Sequence, residues 1–107
     1  MRFKVTVNCL DEAETIRKIV DAASAAGAGR VGKYSRVALV LRGYETWIPG
    51  PGAEPFSGTI GMISEEPSVR IEMQCEACDL LAVIGSIRAN HDYEEPVIDV
   101  VRLEEIE

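Results

Sequence analysis

The stretch ANHDYEEPVIDV, Ala89 to Val100, holds the only histidine of the chain, His91, followed by Tyr93, Glu94, Glu95 and Pro96. An imidazole beside carboxylates is the starting set for a divalent-metal site or for acid–base chemistry. The spacing restricts it. Glu94 and Glu95 are adjacent, so in extended backbone their side chains leave on opposite faces and cannot form the acid–base pair of one hydrolytic site within one chain. His91 with one glutamate remains, either as part of a metal site with His91 and Glu95 as ligands, or as a hydrogen-bonded corner that fixes a helix-to-strand turn. A metal site wants three or four convergent ligands, so the corner is the stronger reading.

Cys75-x-x-Cys78 followed by His91 has the outline of a zinc site, with Glu95 in the place of a finger's second histidine. The residues between read as a helix, so Cys75 at its start and His91 past its end stand roughly 20 Å apart or more at 1.5 Å per residue. One ion cannot bridge that span within a chain. A redox reading of CEAC is opposed by the flanking acids Glu76 and Asp79, although a helix N-terminus acts the other way. Both cysteines are expected to be ordinary residues at a helix start, and Cys9 a small, half-buried one. GAGRVG, Gly27 to Gly32, satisfies G-x-G-x-x-G, but the dinucleotide fingerprint needs a strand before the glycines and a helix after them. Here they follow a helix and lead into a strand, which makes them a cap and a connection. Trp47, Tyr44 and Phe56 lie on or beside PGPGAEPFSG, a loop by composition, where large rings line a ligand cleft or fill a subunit interface.

The elements that must position these residues follow from periodicity. Phe3, Val5 and Val7 alternate with Arg2, Lys4 and Thr6, a half-buried strand. Asp11 and Glu14 have capping-box spacing, and Ile16, Ile19, Val20, Ala23 and Ala26 recur with helical period until Gly27 stops the helix. Val37, Leu39 and Leu41 mark a second strand, which GYETWIP extends as a ribbon. Alternation resumes around Thr59 to Ile63 and again at Val69, Ile71 and Met73. Ala77, Leu80, Leu81, Ile84 and Ile87 mark a second amphipathic helix ending near Asn90, and Val97 to Leu103 the last strand. The order βαββαβ is that of an α+β, ferredoxin-like sandwich, an antiparallel sheet with two helices on one face. The last strand is apolar on both sides, which a sheet wetted on one face should not be. The open face is therefore expected to be buried against other copies.

The 107 residues are expected to form a single domain, 1–107. Eighteen acidic against eleven basic residues give a net charge of −7, which repels phosphate backbones and anionic membrane surfaces, so neither nucleic acid nor membrane is an expected partner. The amino-terminal MRFKVTVNCL, polar or charged at alternate positions, suits neither a signal peptide nor a membrane span, and an odd cysteine count suits free thiols; the expected location is the cytoplasm.

AGAGRVGKYSRV, PGPGAEPFSGTIG, VRIEM and HDYEEPVIDV, in this order and spacing, resemble the inserted domain of the YqfO-like proteins, the NGG-interacting-factor-three family, and its stand-alone relatives. The resemblance runs from about Gly27 to Leu103. The positions carried over are Gly27, Gly29, Gly32, Tyr34, Gly52, Ala53, Pro55, Gly58, Gly61, Glu72, His91, Tyr93, Glu94, Glu95, Pro96 and Asp99. Asp92 departs from the family's usual proline, which should loosen the turn. The resemblance implies a PII/CutA-like fold that assembles as a homotrimer. It does not carry over the family's chemistry: in full-length members a separate domain holds two metals through several histidines and acids, and some are labelled GTP cyclohydrolases, whereas this chain has one histidine.

The expectation is a non-enzymatic, oligomeric PII/CutA-like module that takes a small ligand or a divalent metal ion at subunit clefts, or serves as a regulatory assembly domain. The ligand residues would be Tyr34, Glu72, Tyr93, Glu94 and Glu95, and the metal ligands His91 and Glu95. The alternatives are a metal-dependent hydrolase with an interfacial His91–glutamate site, or a purely structural interaction module.

Overall fold

The computed structural model describes residues 1–106. β1 (Arg2–Leu10) is followed by α1 (Ala13–Ala25), β2 (Leu39–Trp47), β3 (Ser64–Glu76), α2 (Leu80–Ala89) and β4 (Ile98–Leu103). The sheet order is β2-β3-β1-β4 with every neighbouring pair antiparallel, the arrangement expected from the alternating patterns. Period two puts Phe3, Val5, Val7 and Cys9 on one face of β1, directly opposite Cys75, Met73, Ile71 and Val69 of β3. Ile19, Val20 and Ala23 of α1 and Val83 and Ile87 of α2 close over that face and complete the core. Each such aliphatic side chain contributes about 1.5–3 kcal/mol by leaving water. Cys9 belongs to this core outright, with no exposed surface, rather than being half-buried.

Several local expectations are corrected. Asp11 does not cap α1; Glu12 occupies the N-cap position without a side-chain bond, while Asp11 pairs with Arg42 of β2 at 3.3 Å. GYETW is no separate ribbon but the second half of β2, which begins at Leu39 rather than Val37. Thr59–Ile63 is a turn: Gly58 and Gly61 both take positive φ, and the Gly61 and Met62 amides bond to Pro49 and Thr59 carbonyls instead of to a strand. Cys75 is a strand residue, because β1 keeps pairing with β3 as far as Arg2–Glu76, and Cys78 lies in the short 3-10 turn Ala77–Asp79 that leads into α2. Within α2 the expected face holds at Ile87, which is buried, and at Leu80, which packs against the core, but Val83 takes the buried place expected of Leu81, which is 83% exposed. The end of α1 is as expected: Gly27 stands just beyond it at φ +120°.

The open face is mixed. Lys4, Thr6 and Asn8 of β1 and Ser68, Arg70 and Glu72 of β3 make its centre polar, with Lys4 and Glu72 paired at 3.4 Å. Apolar side chains flank that centre on both edge strands: Leu39 and Leu41 on β2, Val101 and Leu103 on β4. Leu39, Leu41 and Val101 are all more than 40% exposed, and Val100 on the other side of β4 is 39% exposed. No helix is long and apolar enough to cross a membrane among the described residues.

Candidate functional site

Antiparallel pairing brings the ends of β1 and β2 together with the starts of β3 and β4. Two irregular segments meet at this end of the sheet, the 48–63 loop between β2 and β3 and the 90–97 turn between α2 and β4. They are joined directly, because the Glu54 amide donates to Glu94 Oε1 at 3.0 Å. Gly58 lets the loop close down: at φ +105° it leaves no room for a Cβ, which would meet Ser64 Oγ at 2.5 Å and Trp47 Nε1 at 3.4 Å.

His91 holds the second segment to the sheet. Its Nε2 lies 2.7 Å from the Asn8 carbonyl oxygen, and its Nδ1 accepts the Tyr93 amide at 3.0 Å. A carbonyl can only accept and an amide can only donate, so the ring is the tautomer with its proton on Nε2. Neither nitrogen then offers a lone pair to a metal. Among the described residues no group of three or more histidine, cysteine, aspartate or glutamate side chains is arranged to hold an ion. Within one chain the donor set does not fit a metal. Asp92 pairs with Lys18 of α1 at 3.4 Å, so the residue that departs from proline ties the turn to a helix.

Tyr93 is the hub of an aromatic group. Its ring centroid lies 5.1 Å from that of His91, 6.0 Å from Trp47 and 6.2 Å from Phe56, all in tilted arrangements. Beside them opens a cleft of about 360 Å³, lined by Glu45, Trp47, Phe56, Tyr93, Glu94 and Glu95 among others, and by no lysine, arginine or histidine. The size is at the low end of small-molecule sites. Glu45 is held from two sides, its Oε2 by Asn8 Nδ2 at 3.3 Å and its Oε1 by the Ser68 hydroxyl. Directly across the ladder is Glu66, which accepts the Ser57 hydroxyl. Tyr93 Oη is buried without a hydrogen-bond partner among the described residues. Burial, together with the negative charge of Glu45 and Glu66, pushes the Tyr93 phenol up to about 12.

The structure therefore brings Tyr93, Glu94 and Glu95 to one cleft and sets His91 behind them as its anchor. Trp47 and Phe56 join them, whereas Tyr44, one residue off in register, is on the opposite face of β2 and 71% exposed. Tyr34 and Glu72 are elsewhere in the chain. Tyr34 is in the turn closed by the Val31–Tyr34 bridge, near the far end of the sheet, where the Gly29 amide bonds to the Gln74 carbonyl. Glu72 is six residues along β3 from Glu66, roughly 20 Å at the strand rise. Glu45 was not singled out from sequence; its position two residues before Trp47 in a strand, hence on the same face, was the available signal.

Cys9 and Cys75 are buried and Cys78 exposed, all three free. Burial, with lesser help from Glu45, Asp11 and Asp92, pushes the Cys9 thiol up to about 12, and burial also raises that of Cys75.

No family model matches the chain. It is 34% identical over 90 residues to the GTP cyclohydrolase 1 type 2 homolog of Mycobacterium leprae, covering 84% of this chain and 23% of that protein. The homolog of the same name in Bacillus subtilis is 35% identical over 80 residues, 75% of this chain and 21% of the relative. The chain is related to the inserted region of this family. It spans less than a quarter of the length of these relatives. Among solved structures, the Bacillus cereus protein related to NIF3 superposes with a TM-score of 0.82 at 29% identity, covering 97% of this chain and 26% of that one. The periplasmic divalent cation tolerance protein CutA from Archaeoglobus fulgidus gives 0.70 at 11% identity, with 98% and 86% covered, and shares the fold. The chain is thus a CutA/PII-like βαββαβ module related to the NIF3 inserted domain.

Proposed function

We propose that the chain acts as a non-enzymatic, self-assembling module, a homotrimer by analogy with its fold, that binds a small ligand in the cleft between the 48–63 loop and the 90–97 turn. The observation that carries the ligand reading is the cleft itself, about 360 Å³ with three aromatic rings in its wall and carboxylates beside them. Concave, largely apolar sites with a few oriented polar groups are where small molecules bind. Self-association is supported by the apolar flanks of the open face on β2 and β4, whose burial against a second copy would stabilise both. His91 serves as the corner that holds the cleft wall to β1. The cytoplasm is the compartment that free thiols suit.

Native mass spectrometry of the purified protein, before and after a chelator, tests this. A trimer carrying a small-molecule adduct is the expected result. A monomer would overturn the assembly, and a chelator-removable metal would transfer the site to an ion held between copies.

A further inference from the structure

We infer that the ligand of the cleft is a small organic cation, recognised through an ammonium group. The inference rests on the ligand-binding reading above and adds to it the chemistry of the occupant. Trp47, Phe56 and Tyr93 line one cavity, the Tyr93 ring centroid lying 6.0 Å from that of Trp47 and 6.2 Å from that of Phe56, with planes tilted by 47° and 45°. Three aromatic side chains in the wall of one cleft supply the ring surfaces on which an alkylammonium is held.

The charge of the walls points the same way. Glu45, Glu94 and Glu95 line the cleft, and no basic side chain does. Glu66 stands across the ladder from Glu45, placing two like charges where a sheet ordinarily avoids them. Asn8 and the serines at 57 and 68 donate to these carboxylates but bring no positive charge. Glu94 is likewise fixed by the Glu54 amide rather than by a cation. Low-dielectric walls carrying a single sign of charge concentrate the opposite ion, so an anion or a phosphorylated ligand would be repelled. A bare metal ion is a poor occupant, because no three side-chain ligands converge among the described residues. The volume admits a monoamine or a quaternary ammonium.

Trp47 is the single tryptophan of the chain, so its fluorescence reports on the cleft. The full chain is titrated with choline, with the neutral isostere 3,3-dimethylbutan-1-ol and with 3,3-dimethylbutanoate, at matched ionic strength. A saturable change with choline is expected, with the alcohol about tenfold weaker and the carboxylate weaker still. Glu94→Gln and Phe56→Leu, both at exposed positions, should each weaken choline by about threefold or more while the unfolding midpoint stays put. Equal binding of the alcohol, or tighter binding of the carboxylate, overturns the cation while leaving a ligand site. Silence with all three overturns the cation, and an adduct-free native mass spectrum besides would remove the ligand-binding reading itself.

Discussion

His91 Nε2 lies 2.7 Å from the carbonyl oxygen of Asn8, 83 residues earlier in the chain, and stands in for a rung of the sheet. The β1–β4 register places Val97 opposite Asn8, and the Asn8 amide does bond to the Val97 carbonyl at 3.1 Å. The reciprocal place on the Asn8 carbonyl is taken by the imidazole. The Asn8 side chain reaches Glu45 on the other side, so one residue links the turn to the cleft.

Truncating that imidazole should therefore loosen the fold. His91→Ala is expected to cost about 1–3 kcal/mol, from the loss of two part-buried hydrogen bonds worth about 0.5–1.5 kcal/mol each. Urea unfolding of parent and variant, with and without added zinc, checks it. A variant as stable as the parent, or a parent stabilised by zinc, would contradict the corner role.

The three cysteines should divide by burial. Cys78 alone is exposed, so one thiol of three is expected to react with an aromatic disulfide reagent in the native protein and all three in denaturant. Fast reaction of Cys9 or Cys75 would mean that the face under the helices opens readily.

Alkali should weaken the protein. The Tyr93 and Cys9 acids are each raised in the fold, from ordinary values of 10.0 and 9.0 to about 12, so both keep protons that the unfolded chain gives up. Their stabilising effect is complete below pH 9 and is lost as the pH climbs toward 12, since stability falls wherever the native state binds more protons. Tyr93→Phe is expected to flatten the upper part of that decline, measured as unfolding midpoint against pH. An unchanged profile would place the phenol in water.

The apolar flanks of the open face should govern assembly. Leu41→Lys and Val101→Lys each place a charge among side chains proposed to meet another copy. Both variants are expected to run as monomers in sedimentation velocity with an unaltered circular dichroism spectrum, because their positions are outside the core. An oligomer that survives both changes would move the interface elsewhere.

Burial separates two apolar positions of α2. Ile87→Ala, at 2% exposure, is expected to cost about 2–5 kcal/mol, and Leu81→Ala, at 83%, less than about 0.5 kcal/mol. Similar losses at both would restore the helical face expected from the sequence pattern.

The topology was legible because its signals are local. Alternation at Phe3–Val7 and helical spacing at Ile16–Ala23 each bury one face, and only a βαββαβ sandwich covers both helices and one side of the sheet. Boundaries were less so. Thr59–Ile63 alternates like a strand but has backbone bonds satisfied within a turn, and Cys75 looked like a helix start because nothing in CEAC reveals how far β1 continues to pair.

What the sequence alone determined is the element order, the helix-covered core and the membership of Tyr93, Glu94 and Glu95 in one short turn. Tertiary structure decided what that turn faces. Antiparallel register carries Glu45 and Trp47 of β2 to the same end of the sheet as Asn8, and the loop at Phe56 folds against Tyr93, so residues some forty positions apart share one wall. It likewise closed both nitrogens of His91 onto backbone groups and left Tyr34 and Glu72 elsewhere. Periodicity records which face of an element is buried; which ends of different strands meet depends on pairing register, a property of the whole sheet.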